Sequence, residues 1–232
     1  MARPRTRFGH LLLCGATRGT GLEVARLARA RGITVHALVR PGADTARLDT
    51  LGCHLVPGDV LDPPSLQALI AAAPAETPCV STLGGGPGDS TVDDQGVGNV
   101  AEALAASGPP GRRLIMVSSL GAGDSRAHAS QRLLDAIGPV LEAKTRGEDR
   151  ARAVDLGLTV LRPGGLLDQS ATGRGALFVD QRVHGRIARA ELARLILACL
   201  GTPETIGRTL AAIDADTLSA PETVEPFPLA ED

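Results

Sequence analysis

The segment Gly15-Ala-Thr-Arg-Gly-Thr-Gly21 follows the apolar run HLLLC and precedes a pattern of helical period. Glycine tolerates positive φ and carries no side chain to hold a ligand away. Gly15, Gly19 and Gly21 therefore let backbone N–H groups approach a pyrophosphate closely. A helix starting there adds a partial positive charge at the same point. A glycine turn with no ligand is the alternative. Two arginines refine the chemistry. Arg18 lies inside the turn, and Arg40 ends the second apolar run, ITVHALV, where an NAD site usually carries an acid. Two guanidinium groups near an adenosine ribose would pair with a 2′-phosphate, which favours NADP(H). The alternative is a pair of solvated surface arginines. Asp59, in PGDV, is placed either to accept from an adenine amino group or simply to close a turn.

Proton-transfer candidates are sparser. The chain has no Tyr, so phenol-based proton transfer is excluded. Ser118 and Ser119 end an apolar run, where they would bind a substrate carbonyl or cap a helix. His128, in GDSRAHAS, has an imidazole able to act as general acid near neutrality, although a loop histidine is commonly a surface residue. Asp124 and Asp168 follow other apolar runs on the same edge. His184 is placed to line a substrate side, whereas His10, His36 and His54 sit in or beside apolar runs and read as structural. No His, Cys and carboxylate cluster has metal-ligand spacing.

These residues need a scaffold. Apolar runs at 10–14, 33–39, 53–56, 79–83, 113–118, 158–162 and 209–213 alternate with helical patterns. Their lack of polar alternation suits parallel strands covered on both faces. Asp62 before Pro63 and Pro64 is a helix start. A long helix is expected over about 139–156, and another over 189–200. The fold class is α/β, a Rossmann-type doubly wound parallel sheet with helices on both faces in a single domain over 1–232, and 214–232 is an irregular tail. Right-handed crossovers place every strand's C-terminal end on one edge. Six consecutive strand ends carry glycine or small polar residues: GATRGTG, RPG, PGD, GGGPGD, SSLGAGD and PGGLLD. That edge holds the ligand in such sheets.

Composition is consistent with this. With 232 residues, 43% hydrophobic and 1% aromatic, the core must be built from Leu, Val, Ile and Ala. A net charge of −2 gives no reason to expect nucleic acid or an anionic membrane as partner. The four cysteines lack CxxC spacing and read as free thiols in a reducing compartment. The basic start MARPRTRFGH is followed by too short an apolar run for a signal peptide. A cytoplasmic protein is expected.

GATRGTG, ALVRPG, VPGDVLDPPSL, VSTLGG, IMVSSLGAG, LEAKTRGED, LGLTVLRPGGL and GRIARAELA, in that order over about 10–213, resemble the atypical short-chain dehydrogenase/reductases. More narrowly, they resemble the NmrA-like NAD(P)H-binding group that includes the biliverdin reductase B type. That branch usually has a GxxGxxG turn. Here the spacing is GxxxGxG, as in the tyrosine-dependent short-chain dehydrogenases. The resemblance implies phosphate contacts from Thr17, Arg18, Gly19 and Thr20, a 2′-phosphate contact from Arg40, and adenine contacts from Asp59 and Val60. It implies ribose and nicotinamide contacts from Leu83, Gly84 and Gly85, with Pro163 and Gly164 of RPGGL beside the nicotinamide. Ser118 or Ser119 matches the serine of the tyrosine-dependent families, and Lys144, the chain's only lysine, matches their lysine. Val140 stands at the tyrosine position. Lys144 would hold the nicotinamide ribose, or is an exposed helix lysine.

Three functions follow. One is an NADPH-dependent oxidoreductase passing hydride to a small carbonyl, quinone or flavin-like acceptor, with Ser118, Ser119, Lys144 and His128 as catalytic candidates. Flavin reduction can take its proton from solvent, which suits a chain without Tyr. The second is a dinucleotide-sensing binding protein, and the third a non-redox isomerase, dehydratase or cyclase on the same scaffold. The partner is a small-molecule substrate, and the 139–156 helix could pair two copies in a homodimer. Substrate loops are expected near 86–95, 121–138 and 166–186.

Overall fold

The computed structural model describes residues 8–85 and 88–230. The basic stretch 1–7, the Gly86–Pro87 part of the expected 86–95 loop, and residues 231–232 of the tail lie outside the described residues. The strands are β1 (His10–Cys14), β2 (Thr34–Val39), β3 (His54–Pro57), β4 (Cys79–Ser81), β5 (Arg113–Val117), β6 (Gly157–Pro163), β7 (Gly165–Leu167), β8 (Gly175–Phe178), β9 (Arg186–Ala188) and β10 (Thr209–Asp214). The helices are α1 (Gly19–Ala30), α2 (Ala46–Thr50), α3 (Pro63–Ala71), α4 (Val97–Ser107), α5 (Gln131–Arg152) and α6 (Arg189–Leu200).

An eight-stranded sheet runs in the order β3-β2-β1-β4-β5-β6-β10-β8, parallel except for β8, which pairs antiparallel with β10. The order reverses between β1 and β4, which is where such sheets open a crevice for a ligand. Successive side chains of a strand point to opposite faces. Leu11 and Leu13 of β1 join the layer packed by α1 and α6, whereas Leu12 and Cys14 join the layer packed by α3 and α4. Both faces are therefore dry, and the strands read as unbroken apolar runs.

Local signals explain most boundaries. The Asp62 side chain accepts from Ser65 N at 3.1 Å and caps α3, with Pro63 in its first turn. α5 departs from the expected 139–156. It starts at Gln131, with the Ser130 side chain accepting from Leu133 N, and ends at Arg152. Ile137 leaves helical geometry (φ −138°) just before Pro139, which removes an N–H and crowds the preceding turn. The expected helix is thus the part after a kink. Three short strands lay outside the expectation. β7 and β9 form a separate two-stranded parallel ribbon above the main sheet, and β8 adds its antiparallel edge. Beyond a turn at 215–217, the chain is fastened where Ser219 pairs with His184 and where Phe227 N donates to Leu177 O at 2.7 Å.

His10, His36 and His54 lie on adjacent strands and stack, with ring centroids 5.4 and 5.2 Å apart. His10 Nδ1 and His36 Nε2 are 3.1 Å apart. All four cysteines are free; Cys14, Cys79 and Cys199 are buried and Cys53 is half-buried. Among the described residues, no helix is long and apolar enough to cross a membrane. Nor do three or more metal-ligating side chains cluster among them.

Candidate functional site

The glycine turn sits at the C-terminal end of β1, beside the switch point. A Cβ on Gly21 would stand 2.1 Å from Gly15 O, so helix and strand meet here only because Gly21 has no side chain. Gly15 (φ +86°) and Gly19 (φ +55°) take the left-handed conformation that turns the chain into α1. Thr82, just after β4, donates to Gly15 O at 3.1 Å and fixes the turn from the other side of the switch point. α1 begins at Gly19, its N-cap Arg18 makes no side-chain cap, and its first turn carries no acid. Its positive end is left for an anion. Thr17 is half-buried and Thr20 is buried within the first turn.

Arg18 and Arg40 are both exposed, Arg40 directly after β2, and neither side chain has a partner among the described residues. Asp59 Oδ1 accepts from Leu61 N at 2.9 Å and shapes the turn after β3, with its other oxygen available. Val60 is buried, and its carbonyl accepts from Asn99 Nδ2 at 3.1 Å.

The segment after β4 meets α5. Lys144 Nζ lies 2.6 Å from Asp93 Oδ1 and donates to Leu83 O at 3.4 Å. Asp93 Oδ2 accepts from Gly85 N at 2.8 Å. Asp93 is 1% exposed and sits in a π-helical turn (Val92–Gly96) entering α4. Such turns recur at functional sites because they redirect one side chain. Lys144 thus gathers Leu83, the turn bearing Asp93 and, through Asp93, Gly85; Gly84 between them is exposed.

One helical turn further, Glu148 faces the same way. It is fully buried and receives the Ser118 hydroxyl at 2.6 Å, Arg162 Nε at 3.0 Å and Arg162 Nη2 at 2.7 Å. Burial pushes the Glu148 carboxyl up, but the hydrogen bonds and charge of Arg162, with Ser118 and Arg152, outweigh it and hold the group below its ordinary value. Burial pulls Arg162 down, and Glu148 and Asp124 more than restore it. Removing one partner of such a pair is costly, because the other is left as an unpaired buried charge. Ser118 therefore has its proton committed to Glu148. Ser119 donates to Leu120 O at 2.9 Å. Pro163 closes β6, and its carbonyl accepts from Leu120 N at 3.0 Å. Gly164 N donates to Ala212 O at 3.1 Å.

Beyond Ser119 opens a cavity of about 350 Å³, walled by Leu120, Ser125, Leu133, Gln181 and the two imidazoles of His128 and His184. His128 is exposed at the end of a 3-10 turn (Gly123–His128), and Asp124 of the same turn bonds Arg162. Asp168 is elsewhere. It pairs with Arg189 at 2.8 Å in a second groove of about 480 Å³ beside Gly19.

Asp93, Glu148 and Gln181 escaped the sequence reading, and Arg162 entered it only as the first residue of RPGGL. Arg162 carried a signal: it is the only charge in LTVLRPG, a run expected to be covered on both faces, so it needed a buried partner. Glu148, four residues after Lys144, shared its helix face.

Residues 15–203 match the family model described as NAD(P)H-binding. The chain belongs to this NAD(P)H-binding family. The uncharacterized sugar epimerase YhfK of Bacillus subtilis (strain 168) is 30% identical over 189 residues, 79% of this chain and 84% of that protein. An uncharacterized chloroplastic protein of Arabidopsis thaliana is 26% identical over 202 residues, 82% of this chain and 71% of that protein. Among solved structures, ChuY, an anaerobillin reductase from Escherichia coli O157:H7, superposes with a TM-score of 0.82 at 31% identity, covering 91% of this chain and all of ChuY. The family implies an NAD(P)H on this sheet, and the glycine turn fits one: Gly15 and Gly19 at positive φ turn bare backbone into the start of α1, whose first turn lacks any competing acid.

Proposed function

We propose that the chain is an NADPH-dependent oxidoreductase that reduces a small conjugated acceptor of the carbonyl, quinone or flavin-like class. The observation that carries this reading is Arg40, exposed and unpaired among the described residues at the end of β2, where no acid competes for ribose hydroxyls. A guanidinium there matches a 2′-phosphate in charge and in fork geometry. The reductase named for ChuY supports the redox reading.

NADPH, when bound, would supply the hydride, a proton with two electrons, that the acceptor takes up. The residues do the rest. The glycine turn and α1 hold the pyrophosphate, with Thr17, Arg18 and Thr20 around it. Lys144, oriented by Asp93, holds the nicotinamide ribose, while Leu83, Gly84, Gly85, Pro163 and Gly164 border the ring. The cavity beside Ser119 receives the acceptor. His128 at its rim donates the second proton or leaves that step to solvent. Ser118 acts on substrate only if it gives up Glu148.

A second reading is non-redox chemistry, favoured by the epimerase name of YhfK. The missing tyrosine removes the usual phenol from that chemistry as well. Titration with NADPH and NADH, followed by nicotinamide fluorescence, comes first. Selective NADPH binding and its steady oxidation with FMN or menadione are expected. No binding of either nucleotide sinks the oxidoreductase reading. Binding without net oxidation moves the weight to an isomerising enzyme or a sensor.

A further inference from the structure

Arg162 is 2% exposed, yet its guanidinium reaches three separate segments. Nε and Nη2 take both oxygens of Glu148, so the plane of the group is fixed. Nη1 is thereby aimed outward, where it bonds Asp124 and the Gln181 side-chain oxygen, the latter at 3.1 Å. Gln181 lines the cavity beyond Ser119, and Asp124, which does not line it, is on the turn that supplies two of its lining residues. Asp124 shares its turn with Ser125 and His128, and Gln181 lies three residues before His184. The Asp124 turn is also pressed onto the guanidinium. A Cβ on Gly123 would stand 2.0 Å from Arg162 Nη2, and Gly123 N is held by Thr145 Oγ1 of α5 at 2.8 Å.

One nitrogen of one buried side chain therefore ties to the sheet both the turn bearing Ser125 and His128 and the segment bearing Gln181. We propose that Arg162 is a positioning residue that sets the separation of these two segments, and that the cavity so formed takes the apolar body of the acceptor. The lining supports an apolar occupant: its surface is mostly apolar, with Leu120, Ala129 and Leu133 among the residues that form it. At about 350 Å³ it lies at the small end of ligand pockets, which run from roughly 300 to 1,000 Å³. A pocket this small is sensitive to a shift of either segment. The inference rests on the oxidoreductase reading for the word acceptor, but not for the clamp itself.

The test uses the two struts, because Arg162→Ala would strand Glu148 and threaten folding. Asp124→Asn removes the charge from the exposed strut, and Gln181→Leu removes the acceptor of the other. Arg162→Lys keeps the charge but has no planar fork to span three partners. The probe is 8-anilinonaphthalene-1-sulfonate, titrated to stoichiometry, with NADPH affinity, thermal melting, and FMN or menadione kinetics measured alongside. Each strut variant is expected to weaken probe binding about 5- to 10-fold, less than the full value of a charge-assisted hydrogen bond because the weakened strut acts on the probe only by shifting the lining. KM for the acceptor should rise by a similar factor in Asp124→Asn, whose residue does not line the cavity, while its kcat and NADPH affinity stay within about twofold. Arg162→Lys should show the larger effect. Native probe affinity in both strut variants, with native KM in Asp124→Asn, would overturn the proposal, as would losses that merely track melting temperature. Strut-dependent probe binding in a protein that turns over no acceptor upholds the clamp and overturns the oxidoreductase reading instead.

Discussion

Lys144 Nζ and Asp93 Oδ1 lie 2.6 Å apart, and the other Asp93 oxygen takes the N–H of Gly85 at 2.8 Å. A 1% exposed carboxylate thus locks together the helix that carries the chain's only lysine and the loop that follows β4. If Lys144 holds the nicotinamide ribose, Asp93 determines where its ammonium points. Asp93→Asn keeps an oxygen for Gly85 N–H but loses the charge facing Lys144. NADPH affinity should fall about 10-fold, or ~1.4 kcal/mol. Unfolding free energy should drop by ~1–3 kcal/mol. Nicotinamide fluorescence and urea unfolding read the two effects, and unchanged affinity would detach Lys144 from the cofactor.

Nucleotide preference is expected to reside in Arg40, with Arg18 in support. Arg40→Ala should weaken NADPH by about 10- to 100-fold, the value of a charge-assisted contact of ~1.5–3 kcal/mol, and leave NADH nearly untouched. Arg18→Ala should act in the same direction and less strongly. The side chains are exposed, so melting should not move. Equal losses for the two nucleotides would show that these arginines contact something other than the 2′-phosphate.

The parallel sheet and its loaded edge were legible because both rest on local chemistry. Unbroken apolar runs report double coverage, and Gly15, Gly19 and Gly21 mark a turn from strand into helix that needs glycine. Asp62 announced α3 through its cap and the prolines after it. What stayed hidden depended on pairing at a distance. β7 and β9 have three residues each, too few for a pattern, and exist because they meet each other. Asp93 looked like a loop acid until the π-helical turn carried it inward to Lys144. Ser118 read as a substrate-binding hydroxyl or a helix cap, because nothing near it in sequence reveals that Glu148 lies 2.6 Å away. The kink at Ile137 was half-visible: Pro139 marked a break, which the sequence reading took for the helix start.

The histidine stack makes stability depend on pH. Burial first, then the neighbouring charges of His54 and His10, pull His36 below its ordinary value of 6.5. In the unfolded chain His36 takes up its proton near that value, whereas the folded chain resists until the pH is lower. The unfolded state therefore binds more protons in this window, and stability falls as pH drops below about 6.5 toward the folded-state value. Urea midpoints measured from about pH 8 to about pH 5 should decline across that interval. His36→Leu should flatten the part of the decline that lies in the window. A variant whose profile superposes on the native one would assign the decline to other groups.

The thiols should be inert while the fold holds. Burial pushes Cys199 up to about 12, with Arg113 only partly opposing it. Cys14 is raised by its contact with Cys79 and then by burial, and Cys53 is raised mainly by burial. The thiolate is the reactive form, so a group that is both raised and covered reacts slowly. With a chromogenic disulfide reagent at mildly alkaline pH, the native protein should release at most the equivalent of Cys53, and slowly. All four thiols should react in concentrated guanidinium chloride. Rapid native labelling of two or more would mean that the layer under α3 and α4, which holds Cys14 and Cys79, or the opposite layer under α6, which holds Cys199, opens far more readily than its packing implies.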